Sequence, residues 1–251
     1  MNLKLGKLPA TKDTRDLLFA NYRTDAPLPK RPAKFGHANL LPSDVGMLGN
    51  DRFGDCVFAS AAHLTMLWNA EAGRKVEFND ECVLQCYAEV TGFDPATGAN
   101  DNGTNMRDML NYWRQTGILD AQGNRHKLAA FASIDPSNMD HILTAMWLFG
   151  LDIGFVVTQD AMDRFHDNDI WDVSPWHGDM TVLGGHCICP VTLGNFINSY
   201  TWGRLQGCTQ RFFRRQTDEV YAVFSQEMLN ASGKSLEGFD LGALQSDLSA
   251  L

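Results

Sequence analysis

Hydrophobic periodicity changes once along this chain, and that change limits the folds open to it. From Cys56 to about Glu71 the residues Val57, Phe58, Ala61, Leu64, Thr65 (through its methyl), Leu67 and Trp68 recur at helical spacing, and Gly73 ends the run. Asp55 is a natural N-cap. Further helices are predicted over about 79–91, opened by Asn79 or Asp80, over 106–117, stopped by Gly117, and over 137–150, capped by Ser137 or Asn138. Beyond residue 150 the pattern shortens. "LDIGFVVT", "HCICPVTL", "FINSYTWGR" and "EVYAVFS" are β-rich runs bounded by Gly, Asp and Asn. "FDLGALQSDLSAL" then reads as a closing amphipathic helix capped by Asp240. Helices first and strands later predict an α+β domain of two lobes. The main body is 48–251, divided into a mainly helical lobe (48–150), a mainly β lobe (151–235) and a C-terminal helix (236–251).

Residues 1–47 are different. They hold five of the nine prolines and show little periodicity, so they predict an extended arm over the domain, anchored by Phe19, Tyr22 and Phe35. The arm leads directly into the loop before Cys56, and a stabilising strap is the expected role, with a removable cleft-blocking segment as the alternative. The length of 251 residues, 44% of them hydrophobic, is enough for a well-buried core. A net charge of -9 argues against a nucleic-acid partner, and the one basic cluster, "RFFRR" at 211–215, reads as the solvated face of an edge strand. No run reaches about 18 apolar residues and no secretory leader is evident, so no membrane partner is expected and a cytoplasmic or otherwise reducing compartment is.

Six cysteines in a chain of this length do not form a dense disulfide framework. Cys82 with Cys86, and Cys187 with Cys189, lack the spacing of structural zinc knuckles and read as core, so no metal and no cofactor is expected. Cys56 stands apart, because a thiol in the first turn of a helix faces unpaired N–H groups and the positive end of the dipole, which favours the thiolate. Such a nucleophile needs an imidazole. His63 lies nearly two turns down the same helix, too far to reach the thiol. His186, in "LGGHCICPV", projects from the start of an apolar strand behind two glycines that admit a close neighbour.

The stretch "NDRFGDCVFASAA" resembles the papain-like cysteine peptidases, in which a glutamine is followed by Gly-Ser-Cys-Trp and a helix of small residues. Asn50 takes the glutamine's place six before the cysteine, Gly54 and Asp55 precede Cys56, and Val57 stands for the tryptophan. The family order of oxyanion amide, cysteine, histidine and an Asn-Ser-Trp-Gly strand is matched by Asn50, Cys56, His186 and "INSYTWG". "NDNGTNMRDMLNYWRQTGI" resembles the family's glycine loop at the substrate cleft. The resemblance spans about residues 48–119 and 184–203.

It implies a papain-like fold, helical N-terminal lobe and antiparallel β C-terminal lobe, and a hydrolase that cuts peptide or amide bonds through a thioester on Cys56. His186 would be the base, the Asn50 amide an oxyanion donor, and Asn102, Gly103, Thr104 and Trp202 would line the substrate. Alignment on Trp202-Gly203 puts Tyr200 where the family has the orienting asparagine. Asn198 is therefore the expected orienting residue, with Tyr200 or a backbone carbonyl as the alternative. The implied partner is a peptide or protein substrate. An idle site would instead imply a structural or binding role with an assembly partner, and an amine acceptor would make the same site an acyl transferase.

Overall fold

A helix that is buried on every side organises the chain. The computed structural model describes residues 3–11, 13, 14, 16–22, 30–173 and 178–228. Helix α1 (Cys56–Glu71) buries thirteen of its sixteen residues, which makes it a core element and not an amphipathic surface helix. Its small residues Ala59, Ser60, Ala61 and Ala62 let other chain segments approach closely. Asp55 occupies the N-cap position but makes no capping bond, because its carboxyl is turned into the interior.

On one side of α1 lie α2 (Asp80–Thr91) and α3 (Met106–Gln115). Each is capped by an asparagine, the first as the sequence predicts: the Asn79 side chain accepts from the Cys82 N–H at 3.0 Å and Asn105, which the sequence reading did not name, from the Arg107 N–H at 3.0 Å. A small hairpin follows, β1 (Ile118–Leu119) with β2 (Arg125–His126). On the other side lies an antiparallel sheet. Its strands are β3 (Ala130–Ile134), β4 (Leu151–Thr158), β5 (Val182–Leu193), β6 (Ile197–Thr201), β7 (Arg204–Cys208) and β8 (Thr217–Phe224), in the order β3-β8-β4-β5-β6-β7. Helix α4 (Met139–Leu148) precedes β4, α5 (Gln159–His166) follows it, and α6 (Gln210–Gln216) leads into β8. Helices therefore dominate the N-terminal half and antiparallel sheet the C-terminal half. No helix among the described residues is long and apolar enough to cross a membrane.

Three local readings change. "RFFRR" forms helix α6, not an edge strand: Thr209 caps it through the Phe212 N–H at 3.1 Å, Phe212 and Phe213 enter the core, and the arginines stay exposed, two of them in the last turn where the helix dipole favours cations. Residues 159–166, to which the sequence reading gave no element, form α5, capped by Thr158 and burying Ala161, Met162 and Phe165 on one face. "FINSYTWGR" is two strands joined by a two-residue turn at Trp202 and Gly203. The helix expected at 236–251 and the Tyr22 side chain lie outside the described residues.

Alternation along β5 divides the interior into two cores. Cys187, Cys189 and Val191 join α1, α2 and α3, while Ile188 joins Phe155, Trp171, Trp202 and Phe212 on the opposite face. Asp152 of β4 ties the first core together, its Oδ1 accepting from the Ser60 hydroxyl at 2.5 Å and the Cys187 thiol at 3.1 Å. Burial pushes this carboxyl up to about 7, against the lowering effect of the Ser60 and Cys187 bonds. Its second oxygen has no hydrogen-bond partner among the described residues. Asp152 thus binds its proton more tightly folded than unfolded, and the stability it contributes is full below the ordinary carboxylate value and lost as pH rises through about 7. The Asp152→Asn variant should flatten that dependence. A loss of a few kcal/mol corresponds to roughly 5–10 °C in a domain of this size, so the parent's melting temperature should fall by about that much more than the variant's between pH 4 and pH 8; equal falls would show that Asp152 does not titrate there.

Candidate active site

The N-terminus of α1 meets the start of β5 from across the sheet, and the site is built at that junction. Cys56 is the first residue of α1 and is 1% exposed. The backbone N–H groups of Cys187 and Gly6 face its sulfur. Cys187 is the residue after His186, and alternation along β5 turns the imidazole to the opposite face, toward Trp202 and Phe155.

His186 is itself fully enclosed. Its ring stacks on Trp202 with centroids 4.0 Å apart and planes 13° apart, and meets the edge of Phe155 at 5.7 Å. Nε2 lies 2.7 Å from the Thr201 hydroxyl, and Nδ1 has no partner among the described residues. Trp202 reaches its place through a left-handed backbone, φ 42°, unusual for a bulky residue, and Gly203 follows at φ 78°. Both positive angles are what a type I′ hairpin turn requires. Trp202 is clamped there by Phe165 at 4.8 Å and Trp171 at 6.3 Å.

The partner of the imidazole is thus Thr201. Asn198, expected in that role, donates instead to the Thr192 hydroxyl at 2.9 Å, and Tyr200 donates to the Ala38 carbonyl at 3.0 Å. The pleat explains it: residues 198 and 200 share one face of β6, while 199 and 201 point to the face of Trp202 and Phe155. The threonine directly before Trp202-Gly203 was the signal in the sequence that alternation could have singled out.

The opposite wall is the 101–104 loop. Asp101 accepts from the Gly54 N–H at 2.8 Å and from the Tyr87 hydroxyl at 2.9 Å, and the Gly103 N–H donates to that same hydroxyl at 2.9 Å. Tyr87 and Asp101, absent from the sequence reading, thereby hold Asn102, Gly103 and Thr104 beside the turn before Cys56. Asn50 is 2% exposed, and its amide donates to the Phe53 carbonyl at 3.1 Å, within its own turn. Beside it the Asp55 carboxyl is driven well up by burial, which outweighs its backbone N–H and the Asn50 amide.

What fills the space between the walls is the N-terminal arm. The Lys7 N–H donates to the Gly185 carbonyl at 3.1 Å, the Leu8 N–H to the Thr104 carbonyl at 3.0 Å, and the Thr104 N–H to the Gly6 carbonyl at 2.7 Å. Residues 6–8 thus form an extended segment bonded to both edges, antiparallel to Gly185 and parallel to Thr104. Gly6 lies so tightly on Gly54 that a Cβ at position 6 would stand 1.8 Å from the Gly54 carbonyl oxygen. Farther along, Phe19 is buried and Phe35 pairs with Leu193 through bonds of 3.0 and 2.9 Å.

This covering reverses the expected electrostatics. Burial pushes the Cys56 thiol up to about 12, with Asp55 and Asp152 adding to it and the two N–H groups opposing it. Burial alone takes His186 down to about 3. With the arm in place both groups are neutral, and the thiolate that the helix N-terminus favours does not form. All six cysteines are free and buried. His63 is structural, its Nε2 3.0 Å from the Gly46 carbonyl oxygen.

No protein-family profile matches the chain, and no curated protein sequence does. Solved structures do. The chain is similar to xylellain, a cysteine protease from Xylella fastidiosa, with a TM-score of 0.65 and 15% identity over 89% of this chain and 96% of that one. It is similar to procathepsin B S9 from Trypanosoma congolense, with a TM-score of 0.56 and 13% identity over 88% and 86% of the two chains. The Carica candamarcensis cysteine protease CMS1MS2, in complex with E-64, gives 0.55 and 12% over 78% and 99%. At these identities the likeness speaks to architecture, and by architecture the chain is a distant member of the papain-like fold.

Proposed function

We propose that the protein is a cysteine-nucleophile hydrolase of peptide or amide bonds whose cleft is closed by its own N-terminal arm. The observation that carries this reading is the arm itself: an extended polypeptide is held by backbone hydrogen bonds from Gly185 and Thr104 directly over Cys56. A groove that binds residues 6–8 through their main chain accepts other peptides by the same bonds.

In the open state water reaches the junction, the burial terms on Cys56 and His186 relax, and the thiol proton moves to His186 Nδ1. Thr201 holds the ring through Nε2, and Trp202 keeps water from that bond. The thiolate sulfur attacks the carbonyl carbon, and the Cys56 N–H with the Asn50 amide stabilises the oxyanion. The carbon–nitrogen bond then breaks as the Nδ1 proton passes to the leaving amine. Water, deprotonated by Nδ1, cleaves the thioester and regenerates the thiol. One observation favours the idle alternative, a binding or structural domain: the Asn50 amide is committed to Phe53 and not to the cleft.

A side chain at position 6 decides between them. Gly6→Val cannot be seated against Gly54, so the full-length variant should expose Cys56 and accelerate its alkylation by iodoacetamide at least tenfold, mapped by mass spectrometry. Hydrolysis of a denatured protein substrate should appear with it and vanish in Gly6→Val/Cys56→Ala. Faster alkylation without hydrolysis would establish the idle reading.

In the Gly6→Val background, Thr201→Val leaves Nε2 buried without a partner, a cost of about 1–3 kcal/mol that corresponds to a roughly 5-fold to 150-fold loss of kcat. Asn198→Ala should change kcat less than about twofold, since its amide serves Thr192. The opposite ranking would return the positioning role to Asn198.

A further inference from the structure

We propose that the recess holding the Lys7 side chain is a specificity subsite for a lysine or arginine of the peptide substrate, with Asp218 and Glu219 as the residues that select it. This rests on the peptide-binding reading of the cleft. Lys7 is the arm residue whose backbone N–H bonds Gly185 and whose neighbours on either side bond Thr104, so its side chain leaves the main chain at the centre of the groove.

That side chain is 1% exposed. Its ammonium lies 2.9 Å from Asp218 Oδ2, 3.0 Å from Glu219 Oε1 and 3.1 Å from the Leu8 carbonyl oxygen. The stem crosses Gly154 of β4, where a Cβ would stand 1.9 Å from Lys7 Cε. Gly154 pairs with Glu219 in the sheet, so the residue that makes room for the stem and a residue that meets the charge face each other across two strands.

The recess is built for a cation and is not saturated by this one. Two carboxylates face a single ammonium, and the Glu219 side chain, 8% exposed, has no hydrogen bond of regular geometry at either oxygen among the described residues. The Lys7 ammonium reaches both acids, and a guanidinium, with five donors in a planar fork, can do so with more bonds. On its outer side the recess opens to a cavity of about 500 Å³ whose lining includes Asp13, Asp16, Asp135 and Tyr221 as well as the two acids. Arg107 pairs with Asp13 at 3.0 Å and Asp16 at 2.7 Å.

A strap alone would not require this arrangement, because an apolar side chain of similar volume anchors a segment without the desolvation of three charged groups. A basic occupant makes sense where the wall is acidic for another purpose. When the arm leaves, Glu219, already raised by burial, loses its cation, and a substrate cation entering beside Gly154 restores the pairing.

Full-length Cys56→Ala/Lys7→Ala tests this by binding alone. Fluorescein-labelled Ala-Ala-Xaa-Ala-Ala peptides, whose symmetry makes direction and register immaterial, are titrated by anisotropy with Xaa as Arg, Lys, Leu or Glu. Arg and Lys peptides should bind at least tenfold tighter than Leu, and adding Asp218→Asn/Glu219→Gln should erase the difference. Equal binding, tighter binding of Leu, or no binding overturns the proposal. In the otherwise native chain, Lys7→Arg should keep the parent's melting temperature while Lys7→Met lowers it; a Met variant as stable as the Arg one likewise overturns it. Neither readout involves turnover, so an inactive thiol would sink the hydrolase reading and leave the subsite standing.

Discussion

The contact on which the other features depend is the one between the first two turns of α1 and the middle of the sheet. Ser60 from the helix, Cys187 from β5 and Asp152 from β4 meet in one buried hydrogen-bonded group, with Ser60 and Cys187 both donating to the same carboxyl oxygen. A helix packed on a sheet by apolar contact alone can slide along the strands. A shared acceptor between two strands and one helical residue fixes the register, and that register sets Cys56 beside the Cys187 N–H and one residue from His186. This contact therefore ties the position of Cys56 to the strands behind it.

The arm is part of the junction's wall, with the Gly6 N–H facing the Cys56 sulfur. Helix dipole and backbone N–H groups act to lower the thiol, each worth a modest amount at a helix end, while complete burial acts on thiol and imidazole alike and favours the uncharged form of both. Burial is the larger effect, as the high Cys56 and low His186 values require. Enclosed in this way, thiol and imidazole are each held in the uncharged form.

Much of this was legible in the residues. The helices at 56–71, 80–91, 106–115 and 139–148 follow from apolar spacing, with Asn79 and Asn138 as readable caps, and "LDIGFVVT" maps onto β4 without a residue's error. The placement of Cys56 at a helix start and of His186 within an apolar strand was readable from local pattern, while the chemistry assigned to them belongs to the proposed function. What failed depended on partners distant in sequence. The orienting role went to Asn198 because the family pattern was matched by residue type, whereas the pleat decides by parity and selects Thr201. "RFFRR" looked like an edge because the sequence does not show that Thr209 would cap it or that Phe212 would stack on Trp171. The raised thiol pKa could not be read at all, since it arises from complete burial by segments distant in sequence, with Asp55 and Asp152 adding to it.

The walls of the cleft also explain why a flexible, proline-bearing arm can occupy it so completely. Gly54, Gly103 and Gly185 line the path, and in each case a side chain would collide with the arm's backbone or stand against it. Walls without side chains recognise main chain and discriminate little between residues. Discrimination must then come from the few places where a side chain is received, and in this groove the clearest of them is the space left by Gly154 in front of Asp218 and Glu219. On the proposed reading, backbone bonding would hold any extended segment in place and the acidic recess would determine which segments are held longest. The arm, with lysine at that position, competes on the same terms as whatever peptide replaces it.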